Sequence, residues 1–217
     1  MRVSGMYVTA VSAMLLCACG NKTDANDANF SAVVSQQLAK SPDVCAPAME
    51  WPVDITDFDQ RVAASTHQGK AVQMAALEQA GLTQSTDALV DQPSMSAKPL
   101  KAHVRRYSLT DAAKPFTREQ EIRSMNNQGS MVRVKASALC FAKVTLDKVQ
   151  KWDQPMKLGS YEETSVFYTY RLNDIAEWSK RPDIQAAYPP IKKVLDGSGT
   201  LAVPMRMKLT NQGWEAL

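Results

Sequence analysis

Apolar positions along this chain recur with two different periods, and the period switches several times. Phe30, Val33, Val34 and Leu38 recur at helical spacing, with Asn29 placed to cap the start and Pro42 to stop the helix. Pro47 and Pro52 break the chain around Trp51, and Ile55, Phe58 and Val62 then predict a short helix with one apolar stripe. A clearer helix is expected from about Gly69 to Ala80, presenting Val72, Ala76 and Leu77. Gly81 stands where a left-handed residue closes such a helix, and Leu82 can fold back on the last turn.

A polar loop containing Pro93 and Pro99 leads into strict alternation. Leu100, Ala102 and Val104 share one strand face, and His103, Arg105, Tyr107 and Leu109 the other. Thr117-Arg118-Glu119-Gln120 matches a capping box and predicts a charged helix to about Ser124. Asn126-Asn127-Gln128-Gly129 predicts a turn, and Val132, Val134 and the stretch Leu139–Leu146 predict one or two strands. Trp152 and Pro155 precede another turn near Gly159. Residues 164–172 make the strongest strand, with Val166, Tyr168, Tyr170 and Leu172 on one face. Asn173 is placed to cap a helix from Asp174, and Pro182, Pro189 and Pro190 divide the next stretch into short helices ending near Gly197. Leu201, Val203, Met205, Met207 and Leu209 alternate, with Pro204 opposite, which predicts an edge strand. The sum is an α+β fold of short helices packed on antiparallel strands.

Two segments echo each other at an offset of 100. Tyr107-Ser108-Leu109-Thr110-Asp111 matches Met207-Lys208-Leu209-Thr210-Asn211 in type, and each follows a helix closed by glycine, Gly81 or Gly197. This predicts two similar α+β lobes, 30–125 and 126–217, within a globular region 30–217; chance agreement of common residue types is the competing reading. The order helix, Gly, Leu, then strand, Leu, Thr also resembles the second half of winged-helix domains. The recognition helix rich in Arg, Lys, Asn and Gln is missing between these parts, so DNA binding does not carry over and no nucleic-acid partner is expected.

Charge patterning singles out the amino terminus. Arg2 is followed by residues 3–18 without a charged side chain, a stretch shorter than the ~20 apolar residues of a membrane span and interrupted by Ser4, Thr9 and Ser12. It ends in Leu15-Leu16-Cys17-Ala18-Cys19-Gly20. This resembles the lipobox of bacterial lipoproteins, in which Leu and two small residues precede a lipidated Cys, although Cys17 stands where that family more often has Ala, Ser, Thr or Val. The resemblance implies a signal peptide 1–18, cleavage between Ala18 and Cys19, and acylation of Cys19 with chains of the palmitate type. Gly20, in place of the Asp that retains such proteins in the inner membrane of enteric bacteria, implies anchoring in the outer membrane facing the periplasm. The outer leaflet of the inner membrane is the alternative address. An ordinary secretory signal is the competing reading. Residues 20–29 are polar and lack large apolar groups, so Cys19–Asn29 is expected to be a lipidated flexible tether.

Cleavage after residue 18 leaves 199 of 217 residues, enough for one or two domains. A hydrophobic share of 45% and a charged share of 22% are those of an ordinary globular protein. Loss of Arg2 lowers the formal charge from +3 to +2, too mild to imply a nucleic-acid or polybasic membrane surface. Cys45 and Cys140 remain after processing, and in an oxidising envelope they are expected to form a disulfide; two separate buried thiols are the alternative.

Catalytic patterns are missing from the sequence. His67 and His103 lie on different expected elements, and no H-E-x-x-H, C-x-x-C or G-x-S-x-G occurs. Gly197-Ser198-Gly199 lacks a phosphate-binding pattern, and Asp54, Asp57 and Asp59 lack calcium-loop spacing and read as a solvated helix start. The strand 101–106 with Arg133, Lys135 and Lys143 predicts either a basic patch or a wet sheet face, and Trp51, Trp152, Trp178 and Trp214 are expected in packing roles. No metal or cofactor is implied. The leading expectation is a non-enzymatic envelope lipoprotein, bound to the membrane by its lipid and docking a protein partner or stabilising an assembly. A periplasmic immunity or inhibitor lipoprotein is the alternative, and an envelope hydrolase the third reading.

Overall fold

A computed structural model describes residues 21–92, 100–126 and 129–217. The signal segment 1–18 and Cys19 lie outside the described residues, as do Pro93, Pro99 and two residues of the 126–129 turn. Helix α1 (Asp27–Lys40) is followed by strands β1 (Asp43–Cys45) and β2 (Val53–Ile55), then helices α2 (Asp57–Thr66) and α3 (Lys70–Gln79). Strands β3 (Thr83–Gln92), β4 (Leu100–Leu109), β5 (Thr117–Met125), β6 (Met131–Trp152), β7 (Met156–Leu158) and β8 (Tyr161–Asn173) come next. Helices α4 (Pro182–Ala187) and α5 (Pro189–Asp196) precede β9 (Val203–Thr210) and β10 (Gly213–Ala216). Short helices thus pack on antiparallel sheets, as the α+β reading has it.

Among the described residues there is a small sheet ordered β2-β4-β3 and a larger one ordered β1-β6-β8-β9-β10, with β5 paired to the first half of β6 and β7 to the start of β8. One strand, β6, organises the larger sheet. Its residues 131–139 pair with β5, 140–143 with β1, and 143–152 with β8.

Local sequence accounts for most of these elements. Gly81 takes φ +75° and the Leu82 amide donates to the Leu77 carbonyl, a left-handed closure of α3 that buries Leu82. Thr56 and Asp59 form a reciprocal capping box at α2: the Thr56 amide and hydroxyl donate to the Asp59 carboxylate at 2.9 and 2.6 Å, and the Asp59 amide donates to the Thr56 hydroxyl. Asp54 lies before that helix, on β2, and takes a bidentate bond from Arg106 of β4 at 2.7 and 2.8 Å. The helix closed by glycine is present as α3 and Gly81, and it leads into a β3–β4 hairpin.

Two apolar clusters hold the fold. One gathers Ile55, Met74, Leu77, Tyr107, Phe141, Trp178, Ile184 and Ile191 between the small sheet and α3–α5. The other joins Phe30 and Val34 of α1 to Val166, Tyr168, Tyr170, Met207 and Trp214. Leu172 and Val194 pack against both clusters, so the two cores are continuous.

Several expectations are corrected. Residues 117–125 form β5 instead of a capped helix: the Thr117 hydroxyl donates to the Ala113 carbonyl, and Ile122 pairs with Val134 across the ladder. A helix here would have carried only Ile122 and Met125 as large apolar groups, too few for a buried stripe, whereas the strand gains a full-length partner. Residues 83–92 form β3 instead of a loop, because β4 supplies a ten-residue ladder in which Ala88 and Val90 oppose Val104 and Ala102. No helix starts at Asp174, which takes φ +52°; the chain instead makes a short 3-10 turn, Glu177–Lys180, that sinks Trp178 into the first core. The stripe expected for 55–62 also splits, with Ile55 buried on β2 and Phe58 exposed on α2.

The lobe boundary at 125/126 falls inside the β5–β6 hairpin, and α1 packs with the carboxy-terminal strands, so 30–125 and 126–217 are not separate lobes. The two glycines also differ, since Gly197 keeps a right-handed φ of −78°. Residues 21–29, expected within a flexible tether, are instead folded onto the body. Asn26, rather than Asn29, caps α1, and the Asn29 side chain donates to the carbonyls of Asn21 and Asp24. Trp214 Nε1 donates to the Thr23 carbonyl, and a Cβ on Gly213 would lie 2.9 Å from the Lys22 carbonyl oxygen. Residues 21–26 are therefore seated on the β9–β10 hairpin. Finally, β9 is an edge only around Pro204, because β10 covers Met207–Thr210.

Candidate interaction surface

Cys45 and Cys140 come together as a cross-strand disulfide between β1 and β6, with an S–S distance of 2.03 Å across 95 residues of sequence. The bond joins the strand before the small sheet to the centre of the large one. An apolar hollow of about 100 Å³ lies beside it, lined in part by Val44, Phe141, Tyr188 and Ile191. Tyr188 is 2% exposed, and its hydroxyl has no hydrogen-bond partner among the described residues. Burial pushes that phenol well above its ordinary range, which keeps it neutral. A neutral phenol in an apolar hollow lacks the converging ionisable groups that hydrolysis requires.

The other expected residues do not assemble a site. His67 ends α2 with φ +55°, and His103 sits on β4 opposite Leu89. The cations of β4 are each matched, Lys101 with Asp91, Arg105 with Glu78 and Arg106 with Asp54. Arg133, Lys135 and Lys143 belong to the other sheet, so the expected basic patch is divided. Trp152 and Trp214 flank Phe30, while Trp178 meets Phe116 and Phe141 edge-on. Among the described residues no group of three or more His, Cys, Asp or Glu is placed to hold a metal, and no helix is long and apolar enough to cross a membrane.

What the fold does assemble is one open face of the large sheet. Val166, Tyr168 and Tyr170 of β8 point into the core beneath α1, so Ser165, Phe167, Thr169 and Arg171 share the opposite face, where Thr169 itself is covered by its neighbours and fully buried. Register places Lys151 and Pro204 on either side of Phe167, Lys148 beside Thr169, and Arg206 beside Ser165. Lys151 Nζ lies 4.9 Å from the centroid of the Phe167 ring, a cation–π contact. The register shift at Asp147 brings its carboxylate within reach of Arg171 and of the Thr169 hydroxyl. The Arg171 guanidinium, with the Thr169 bond, holds that carboxyl below its usual range. Glu163 is likewise held low, by the Tyr161 hydroxyl and then by Arg206, each at 2.8 Å.

Both acids are thus occupied by their own neighbours. Lys148, Lys151 and Lys208 make no ion pair among the described residues, although Lys148 lies near Asp147 and register sets Lys208 opposite Glu163 and Glu215, so the face carries more cations than acids. Its far end is the β7–β8 hairpin. Gly159 takes φ +62° in a two-residue loop, which lets Leu158 pair directly with Tyr161. Leu158 is 82% exposed, Met156 68% and Tyr161 43%. Turns are ordinarily polar, so three large apolar side chains around a Gly-Ser loop make an unusual exposed apolar patch. The signal is present in the sequence as Met156-Lys157-Leu158-Gly159-Ser160-Tyr161, an alternation with its apolar residues at the hairpin end. Comparison with protein families, curated proteins and solved structures returns no match to this chain.

Proposed function

We propose that this chain is a lipid-anchored envelope protein that works by docking a protein partner on the open face of its larger sheet, without chemistry of its own. The observation that carries the reading is the combination on that face: exposed Leu158, Met156 and Tyr161 at one end and Phe167 further along the same strand face, with Lys148 and Lys151 making no ion pair among the described residues. Burying a Leu side chain contributes ~1.5–3 kcal/mol, and aromatic and Met residues are enriched where protein interfaces form. The surplus of cations favours a partner with an acidic rim, because complementary charge steers encounter and rejects wrong partners.

Two further features support the compartment. The Leu15–Cys19 segment resembles a lipobox, and the Cys45–Cys140 bond is of a kind that persists outside the reducing cytoplasm. Each buried CH₂ of a lipid contributes ~0.8 kcal/mol, so the several acyl chains that the resemblance implies at Cys19 would hold the body at the membrane permanently. Gly20 favours the outer membrane, with the body facing the periplasm.

The test has two arms. Cys19→Ser should abolish incorporation of labelled palmitate and release the protein from the membrane fraction; unchanged labelling and retention would refute the anchor. Affinity purification of the tethered protein after crosslinking should recover one partner, and Leu158→Asp should lose it while the protein stays folded. Equal recovery by both proteins would refute the docking face.

A further inference from the structure

The small sheet ends in β3, which pairs with β4 and has no second neighbour among the described residues. Two hydrogen bonds show which of its backbone groups point outward. The Leu82 carbonyl accepts from the Thr110 amide, one step beyond the pair Thr83–Leu109, so even-numbered residues turn their backbone groups toward β4. The Ser85 amide donates instead to the Glu78 carboxylate at 3.0 Å, away from that ladder. The register then runs without a shift to Gln92, so the alternation continues, and the N–H and C=O groups of Asp87, Leu89 and Asp91 face the free edge. Edges of this kind are ordinarily guarded by proline, lysine, a bulge or short length. β3 is ten residues long, has no Pro or Lys, and carries only Asp87 and Asp91 as charges. Those two acids are exposed on one face, with Leu89 55% exposed between them. Asp87 makes no ion pair among the described residues, because Arg105 opposite it turns to Glu78 and the Ser85 hydroxyl.

We infer that this edge accepts an added strand from a basic protein partner, an extended segment with Lys or Arg two residues to either side of an apolar residue. Outward backbone groups supply the main-chain bonds of such an addition, and alternate side chains choose the sequence. The added residues stand directly opposite Asp87, Leu89 and Asp91, with Cβ atoms about 4.5–5.5 Å apart. The fold already uses this complement on the other side of β3, where Arg105, His103 and Lys101 oppose the same three residues. An acidic segment would set like charges directly opposite, which destabilises a ladder. A second copy of β3 meets the same penalty: the antiparallel register that uses all three outward residues centres on Leu89 and sets Asp87 against Asp91. The inference goes beyond the docking face of the larger sheet and needs neither Leu158 nor lipid on Cys19.

The test is amide hydrogen exchange followed by NMR on the purified protein, alone and with the blocked peptide Thr-Lys-Thr-Val-Thr-Lys-Thr. The amides of Asp87, Leu89 and Asp91 should exchange freely in the protein alone and become protected with the peptide, while those of Ala88 and Val90 stay protected throughout. Glu in place of both Lys residues of the peptide, or N-methylation of its Val, should abolish the protection. Asp87→Asn with Asp91→Asn should weaken binding by up to about fivefold for each opposed pair, the upper end of a cross-strand charge contribution. Leu89→Pro removes an outward N–H and no ladder bond, so it should lose the peptide and keep its fold, which a thermal melt checks. Protection of the three amides in the protein alone, whether from its own chain or from a dimer, would overturn the inference. So would failure of the Lys peptide to bind, equal protection by the Lys and Glu peptides, undiminished protection by the N-methylated peptide, or unchanged binding by the double Asn variant.

Discussion

Replacing Phe30 with Ala tests whether the amino-terminal helix is part of the folded body. Phe30 is fully buried, and its ring centroid lies 5.2 Å from those of both Trp152 and Trp214, with interplanar angles of 60° and 62°. With Val34 it closes α1 over the second core at Val166 and Met207. Removing a buried Phe side chain costs ~3–5 kcal/mol, the lost transfer energy plus the cavity left behind. Tilted aromatic pairs add ~0.5–1.5 kcal/mol beyond area, which places this site toward the upper end of that range. For a protein of this size each kcal/mol lowers Tm by roughly 2–4 °C, so a fall of about 6–20 °C is expected. Urea unfolding followed by tryptophan emission is the assay, because Trp152 and Trp214 report on the same contact. A loss below ~1 kcal/mol with unchanged emission would refute the packing account, since it is the outcome for a helix hanging from a loose tether.

Two more predictions concern stability. Reducing the Cys45–Cys140 bond, or making Cys45→Ser with Cys140→Ser, releases a 95-residue constraint worth up to ~4–5 kcal/mol in the chain-entropy model; unfolding with and without reductant measures it, and identical midpoints would contradict it. At α2, burial pushes the Asp59 carboxyl up, but the Thr56 hydroxyl and amide and the charge of Lys70 outweigh it and hold the group below its usual range. Its stabilising effect is therefore present above about pH 4 and lost as pH falls through the lowered value. Asp59→Asn should cost about 1 kcal/mol at neutral pH and flatten the acid limb of a stability-against-pH curve; an unchanged limb would contradict the capping role.

The strongest local signals survived folding intact. The alternation of 164–172 gave β8 its inward face, and the Ala80-Gly81-Leu82 ending of α3 closed as its sequence dictates. Proline placement likewise divided α4 from α5. Errors arose where pairing partners lay far away. Thr117-Arg118-Glu119-Gln120 satisfies a capping rule, but nothing local reveals that β6 continues for 22 residues and offers it a ladder. Residues 83–92 read as polar because their hydrogen bonds, more than their side chains, hold them to β4. The seating of residues 21–26 depends on Trp214, at the other end of the chain, which no local pattern can announce. The disulfide was legible because, with Cys17 and Cys19 read as parts of a lipobox, Cys45 and Cys140 are the two left to pair. The open face was legible only in part: Met156 and Leu158 stand out around a Gly-Ser turn, whereas the gathering of Lys148, Lys151, Phe167 and Pro204 depends on register.

A photo-activatable amino acid placed at position 158, in cells carrying the otherwise unchanged protein, tests the docking face most directly. Irradiation should give one discrete adduct from position 158 and none from position 61 on the exposed side of α2. Adducts of equal pattern from both positions, or no adduct from 158, would contradict it.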